Sequence, residues 1–312
     1  MNTGKFTYMC KLSQKNLKHY VAKNLKTAYP IVVEQDGFIF AKGTFPILLV
    51  AHLDTVHKKL PRKIYYDKHT DSLYSPDGIG GDDRCGVYMI LEIIKRHKCS
   101  VLFCEDEETG GIGANKFVQY AKDKNFDFKY IIELDRKGYN DAVFYDCDNE
   151  DFTAFITQEF FKENWGTFSD ISVIAPALKT CAVNLSSGYY NAHTVQEYVV
   201  TTEVDVIIDE VCKLLDRSVD CAHYEYIENV RYYGYFGSTY KYDNWDIYDD
   251  WEDDEYYWEF EFYNVEVNKT DYDYISGTNE YNVLGKFFRQ HPNTCYADII
   301  NYAPMDYNET IK

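Results

Sequence analysis

Short apolar runs of β character alternate with segments of helical period from about Tyr29 to Leu215, and no other feature restricts the fold as tightly. A strand, a helix and a further strand in succession bury both faces of a sheet only when helices cover it on each side. A helix is expected over Leu12–Tyr29, with Leu17, Tyr20, Val21 and Leu25 on one face. "YPIVVEQDGFIFAKG" reads as a hairpin turning at Asp36-Gly37. A strand follows at Pro46–Ala51 and a second β pair across Lys63–Ser75, and the turn "SPDGIGGDD" leads into a helix from Asp83 to His97. Next come a strand at Ser100–Cys104, a helix at Ala114–Lys122, and strands at Tyr130–Leu134 and Thr180–Leu185. An amphipathic helix over Thr201–Leu215 turns Val204, Ile207, Ile208, Val211 and Leu215 inward. The expected fold class is α/β, a three-layer sandwich around a central, mostly parallel mixed sheet.

Composition divides the chain. Residues 1–220 carry the alternation, whereas 221–312 form an acidic, Tyr-rich extension that includes "YDNWDIYDDWEDDEYYWEFEFY". That stretch has no helical period and reads as an acidic linker or an edge hairpin, with an acidic aromatic docking surface as the functional alternative. Helical character returns in "EYNVLGKFFRQ", between Glu280 and Lys312. The formal net charge of −19 repels a phosphate backbone, so no nucleic-acid partner is expected. No run reaches the roughly 18 apolar residues of a membrane span, and the first residues lack the apolar core of a signal peptide. No membrane partner and a cytoplasmic location are therefore expected. Nine scattered cysteines without a CxxC pair fit reduced core thiols better than a disulfide frame.

Ligands of an open parallel sheet sit beyond the carboxyl ends of its strands, so polar residues that follow apolar runs are the ones able to converge. Five places qualify: His52 and Asp54 after "ILLVA", Asp82-Asp83-Arg84 after the glycines, Glu105 to Glu108 after "VLFC", Asp135 after "YIIEL", and His193 in "SSGYYNAHTVQEY". Each alone has a structural explanation. Asp82 or Asp83 would cap the next helix, and the acidic run would suit the start of the helix near Ala114. Together, however, two histidines and several carboxylates with little compensating Lys or Arg repel one another unless a divalent cation offsets the charge. Imidazole and carboxylate without thiolate suit zinc, with manganese or cobalt as alternatives.

The ordered set "HLDT", "GGDDRCGV", "DEETGGIGA", "ELD" and "NAHTVQEYV", spanning roughly residues 45–215, resembles the co-catalytic di-zinc exopeptidases, the superfamily of peptidase T, the glutamyl aminopeptidases and the bacterial leucine aminopeptidases. The resemblance implies a zinc-exopeptidase-like fold and two divalent ions. His52, Asp82 and Asp135 would bind one, and Asp82, Glu108 and His193 the other, with Asp82 as the bridge. Asp54 would orient the His52 ring, and Glu107 would be the general base acting on the metal-bound water. His57 has no place in this set. "GTFSDISVIAP", around Ser169 and Asp170, resembles the superfamily's segment before its last strand, and Arg136 and Lys137 are candidates for contacting a substrate carboxylate. Many relatives insert a lid or dimerisation domain after the ligand matched by Asp135. Here only about 35 residues lie between Asp135 and Asp170, too few for another domain.

The activity implied is an aminopeptidase or close exopeptidase acting on a peptide or small amide. An N-acyl amino acid deacylase with the same site is the alternative. A third reading is a catalytically inactive binding protein that docks a partner through its acidic aromatic region. The oligomeric state is left open.

Overall fold

Alternate residues of the central strands point to opposite layers, and this period of two decides which helices cover which face. The computed structural model describes residues 1–228, 256–264, 269–277, 287, 291 and 299–304. Two units divide the chain, Met1–Asn229 and Val230–Lys312.

In the first unit, helices α1 (Thr3–Cys10) and α2 (Gln14–Ala28) precede the hairpin of β1 (Val32–Gln35) and β2 (Phe38–Ala41). Strand β3 (Phe45–His52) is followed by the short strands β4 (Tyr65–Asp67) and β5 (Ser72–Tyr74), and then by α3 (Gly81–Ile93). The alternation continues through β6 (Cys99–Cys104), α4 (Ile112–Ala121) and β7 (Tyr130–Arg136). Next come β8 (Asp141–Val143), α5 (Glu150–Thr157), β9 (Lys162–Asn164), α6 (Asp170–Leu178) and β10 (Ala182–Ser186). Strands β11 (Tyr189–Tyr190) and β12 (Tyr198–Val200) and helix α7 (Thr201–Arg217) follow.

The larger sheet has the order β1-β2-β6-β3-β7-β10-β8-β9. Its middle, β6-β3-β7-β10, is parallel, while the pairs β1-β2, β2-β6 and β10-β8 are antiparallel. Leu49 and Ala51 of β3, Val101 and Phe103 of β6, and Ile132 and Leu134 of β7 face one layer, with Phe6, Leu17, Met89, Phe152 and Val211 of the covering helices. Leu48, Val50, Leu102 and Ile131 face the other, against Phe117 of α4 and Ile171 and Ile174 of α6. This is the three-layer sandwich with a mostly parallel mixed sheet that the alternation predicts. Each buried Leu, Ile or Phe contributes about 1.5–3 kcal/mol. An exposed ion pair such as Lys26–Glu34 contributes at most about 1 kcal/mol, so packing holds the sheet that positions the site.

Helix α3 lies close against β7 because residue 86 is glycine. A Cβ there would stand 1.9 Å from the Leu134 carbonyl oxygen. Between Asp135 and Asp170 the chain forms β8, α5 and β9, with β8 and β9 at the edge of the same sheet, so no lid domain is inserted. Helices α1, α5 and α6 are not among the sequence expectations. Eight or nine residues give too short a period to read, and Pro176 lies inside α6.

The four-stranded sheet β11-β12-β5-β4 frames the loop that carries His193. Tyr190, Tyr198, Tyr74 and Tyr65 pair in one cross-strand row. Such aromatic cross-strand pairs stabilise a short sheet. Their rings stack at 5.1 Å for Tyr190–Tyr198 and 5.6 Å for Tyr65–Tyr74.

The second unit holds the antiparallel strands β13 (Tyr256–Asn264), β14 (Lys269–Gly277) and β15 (Ile299–Pro304), in the order β14-β13-β15. Phe260 and Phe262 of β13 are buried with Ile275 and Phe287, while Tyr263, Tyr272 and Tyr274 are exposed. Residues 256–263 of the acidic aromatic stretch are therefore not a linker but the middle strand of a small sheet, paired antiparallel with β14 along its length, with Phe260 and Phe262 alternating against Glu261 and Tyr263. Residues 242–255 of that stretch, and most of the helical character expected in 280–312, lie outside the described residues. No helix among the described residues is long and apolar enough to cross a membrane.

Candidate metal centre

Three adjacent parallel strands end at one edge of the sheet. In the β3–β6 register His52 sits opposite Cys104, and in the β3–β7 register Val50 sits opposite Glu133. The residues that continue these strands, Glu105 to Glu108 after β6 and Asp135 in β7, therefore emerge beside His52. Strand β3 lies between the strands that follow it in sequence, the kind of switch point where open α/β sheets bind ligands.

The side chains converge on Asp82. Its Oδ1 is 3.0 Å from His52 Nε2, and its Oδ2 is 3.1 Å from His193 Nε2. His52 Nε2 also lies 3.3 Å from Asp135 Oδ1, and His193 Nε2 lies 3.2 Å from Glu108 Oε2. Two triads result, His52–Asp82–Asp135 and Asp82–Glu108–His193, with a third grouping of His52, Glu107 and Glu108; within each, one donor atom per residue lies within 4.8 Å of the others. All five residues expected to bind metal, and Glu107, thus stand in one cluster.

Asp54 lies behind the cluster, only 7% exposed. It accepts from or faces three groups: His52 Nδ1 at 3.1 Å, the Glu107 N–H at 3.1 Å and the Glu108 N–H at 3.0 Å. One carboxylate therefore orients both the imidazole and the backbone of the Glu107-Glu108 pair. Asp83, by contrast, turns away from the cluster. It accepts from the Gly86 N–H at 2.8 Å and the His52 N–H at 3.2 Å, so Asp83 rather than Asp82 caps the helical turn.

Asp135 is held from the neighbouring strand. Its N–H donates to Asn184 Oδ1 at 2.9 Å, the Ser169 hydroxyl donates to its Oδ2 at 3.2 Å, and the Tyr189 hydroxyl donates to its carbonyl at 3.1 Å. Arg136 faces Asp141 at 3.4 Å, Lys137 is exposed, and Asp170 is buried beside the Cys104 thiol. His57 stands outside the triads, 2.9 Å from Glu197 Oε2. Glu197 is fully buried and also accepts from the Gly80 N–H at 2.8 Å and the Asp82 N–H at 2.9 Å. Asn184, Tyr189 and Glu197 are not among the sequence expectations, because their partners are chiefly backbone groups brought close only by the fold. The one available signal was their place beside the strand β10 and the His193 loop.

The electrostatics are those of a site built for positive charge. Burial pushes the Glu107 carboxyl up to about 10, and Asp135 up to about 7, with neighbouring carboxylates adding to both. Burial alone would lower the imidazoles. For His52 the carboxylates of Asp135, Asp54 and Asp82 overcome it and hold the ring well above its ordinary value, and Asp82 and Glu108 raise His193 to about 11. Asp82 moves the other way: burial opposes its ionisation, but His193 and His52 keep it well below the usual carboxylate range. The cluster draws protons onto its imidazoles to offset its carboxylates, and a divalent cation offsets them by displacing those protons. Glu108 Oε1 is buried without a hydrogen-bond partner while its Oε2 faces His193, which leaves it free to ligate. The donor set, imidazole and carboxylate, fits zinc-type ions.

Residues 40–164 match the Peptidase family M28 model. No curated protein matches by sequence. Among solved structures, the aminopeptidase PepT of Bacillus cereus is similar at a TM-score of 0.58 and 14% identity, over 69% of this chain and 97% of its own. A tripeptidase of Staphylococcus aureus gives 0.55 and 13%, over 69% and 97%. An aminopeptidase of the archaeon Desulfurococcus kamchatkensis gives 0.50 and 15%, over 68% and 94%. These likenesses show the fold. The family match, over less than half of the chain, agrees with the resemblance that the ordered motifs carry.

Proposed function

We propose that the chain is a di-metal exopeptidase, an aminopeptidase in its simplest reading, that hydrolyses peptide bonds with Glu107 as general base. The observation that carries this reading is the Asp82 carboxylate, which presents one oxygen to His52 and the other to His193. His52, Asp82 and Asp135 would hold one ion and Asp82, Glu108 and His193 the second, zinc by the chemistry of the donors and manganese or cobalt as alternatives. When bound, the pair would polarise the scissile carbonyl, bring the attacking water's pKa towards neutrality and stabilise the oxyanion.

The chain's own residues do the rest. Asp54 fixes the His52 ring and, through two backbone N–H groups, the direction of the Glu107 carboxylate. Glu107 takes the proton of the attacking water and passes it to the leaving amine, so it needs to be ionised in the resting site. Without cations its burial favours the protonated acid, and positive charge beside it favours the base.

Glu107→Gln tests the assignment. The variant keeps the volume and the metal ligands, so it should bind metal as the native protein does and lose most hydrolysis. Equal hydrolysis by both proteins would refute the role of Glu107. A panel of aminoacyl anilides, dipeptides and N-acetyl amino acids separates the aminopeptidase from a deacylase: turnover of the anilides and dipeptides alone supports the reading, and turnover of the N-acetyl compounds alone overturns it.

A further inference from the structure

We infer that Glu197, backed by His57, is a positioning residue that sets the bridging carboxylate of Asp82 and ties it to the loop carrying His193. The inference rests on the two-ion reading of the site. A fully buried carboxylate is costly unless donors surround it. Glu197 receives the Asp82 N–H on Oε1, and the Gly80 N–H and His57 Nε2 on Oε2. Two of its three partners are thus backbone groups of one turn, the turn that ends at the bridging aspartate.

That turn is shaped to wrap the carboxylate. Gly78 and Gly80 have φ of 80° and 68°, a conformation that suits glycine. A Cβ on Gly78 would stand 2.3 Å from the His57 ring, so the ring packs directly on the turn. Glu197 follows His193 by four positions within the same β11–β12 connection, where Asn191 and His193 have φ of 54° and 65°. It is therefore the side chain that joins the His193 loop to the Asp82 turn.

This placement makes an unequal prediction for the two ions. The triad Asp82–Glu108–His193 takes two of its three donors from the segments that Glu197 joins, whereas His52–Asp82–Asp135 takes one. Loss of a group that orients metal ligands typically weakens binding by about 10- to 100-fold. Here the loss should fall on the second ion.

The test is a zinc titration of the full-length chain, freed of metal and competed against a chromophoric chelator, for the native protein, Glu197→Gln and His57→Phe. The native protein should take up two ions. Glu197→Gln should hold the first within about threefold of native and the second about 10- to 100-fold more weakly, with His57→Phe shifted in the same sense by less. Glutamine has one acceptor oxygen where the carboxylate has two, so either Gly80 or Asp82 loses its partner. Native affinity for both ions in both variants, or equal weakening of the two, would overturn the inference. Circular dichroism accompanies the titration; should Glu197→Gln not fold, His57→Phe decides alone by the same criterion. A native protein that binds no zinc would overturn the two-ion reading itself, and this inference with it.

Discussion

Replacing Asp54 by Asn changes one atom of a buried group and removes its charge, which makes it a sensitive probe of how the site is held. The carboxylate serves His52 Nδ1 and the Glu107 N–H through Oδ1, and the Glu108 N–H through Oδ2. In the better of its two orientations an asparagine keeps the first two partners and turns an amide N–H towards the Glu108 N–H. One charge-assisted hydrogen bond is then lost, worth about 1.5–3 kcal/mol. At about 1.4 kcal/mol per factor of ten, a loss that falls on the geometry of His52 and Glu107 lowers kcat/KM by about ten- to 150-fold. Metal affinity should fall by a comparable factor, since the same carboxylate orients His52. The assay is steady-state hydrolysis of an aminoacyl anilide in zinc-buffered solution, beside a metal titration. An Asp54→Asn variant within twofold of native in both would refute the claim that Asp54 holds the site.

Three further outcomes follow from the same structure. Gly86→Ala places a Cβ 1.9 Å from the Leu134 carbonyl oxygen and should destabilise the chain by several kcal/mol, about 4 or more, in urea unfolding; a change below about 1 kcal/mol would show that α3 can move off β7. Asp71 accepts from the Thr202 N–H, the Thr201 hydroxyl and the Tyr66 hydroxyl; the Tyr66 bond, ahead of the threonine ones, holds its carboxyl down at about 2. A depressed carboxyl stabilises the fold above its unfolded value near 3.9 and loses that effect as pH falls towards 2. Solvent screening discounts the shift of this surface carboxyl, so Asp71→Ala should cost about 1 kcal/mol at neutral pH, with the gap to native constant down to about pH 4 and narrowing below it in urea midpoints; a gap that widens in acid would contradict the sign. Chelation should abolish hydrolysis and lower the melting temperature, and free zinc at about 100 times its Kd should restore about 2.7 kcal/mol of stability; an unchanged melting curve would mean that no ion is bound to the fold.

The parts of the site that were legible in the sequence are those carried by strand ends. His52, Glu107, Glu108 and Asp135 follow runs of apolar residues, and a parallel sheet brings such positions to one edge. Without the resemblance, either aspartate of the pair 82–83 could cap α3. The contact of Asp83 with the Gly86 N–H assigns the cap and leaves Asp82 facing the histidines. Glu197 was invisible for a physical reason: it binds main-chain N–H groups more than a hundred positions away, and main-chain donors carry no side-chain signature. His57 has no place in the ligand set that the sequence implies. It does stand outside both triads, yet through Glu197 it supports the turn that ends at Asp82. The short helices α1, α5 and α6 are not legible in the sequence because one face of eight or nine residues holds too few apolar positions to define a period. The second unit shows the converse, since the alternation in "YYWEFEFYN" is a clear strand signal that the acidic composition obscured.

A crystal structure of the zinc-loaded protein, with anomalous differences measured on both sides of the zinc absorption edge, puts the account most directly at risk. Two peaks are predicted, one among His52, Asp82 and Asp135 and the other among Asp82, Glu108 and His193, with the Asp82 carboxylate between them. A single peak elsewhere on the chain, or none in crystals grown with saturating zinc, would contradict it.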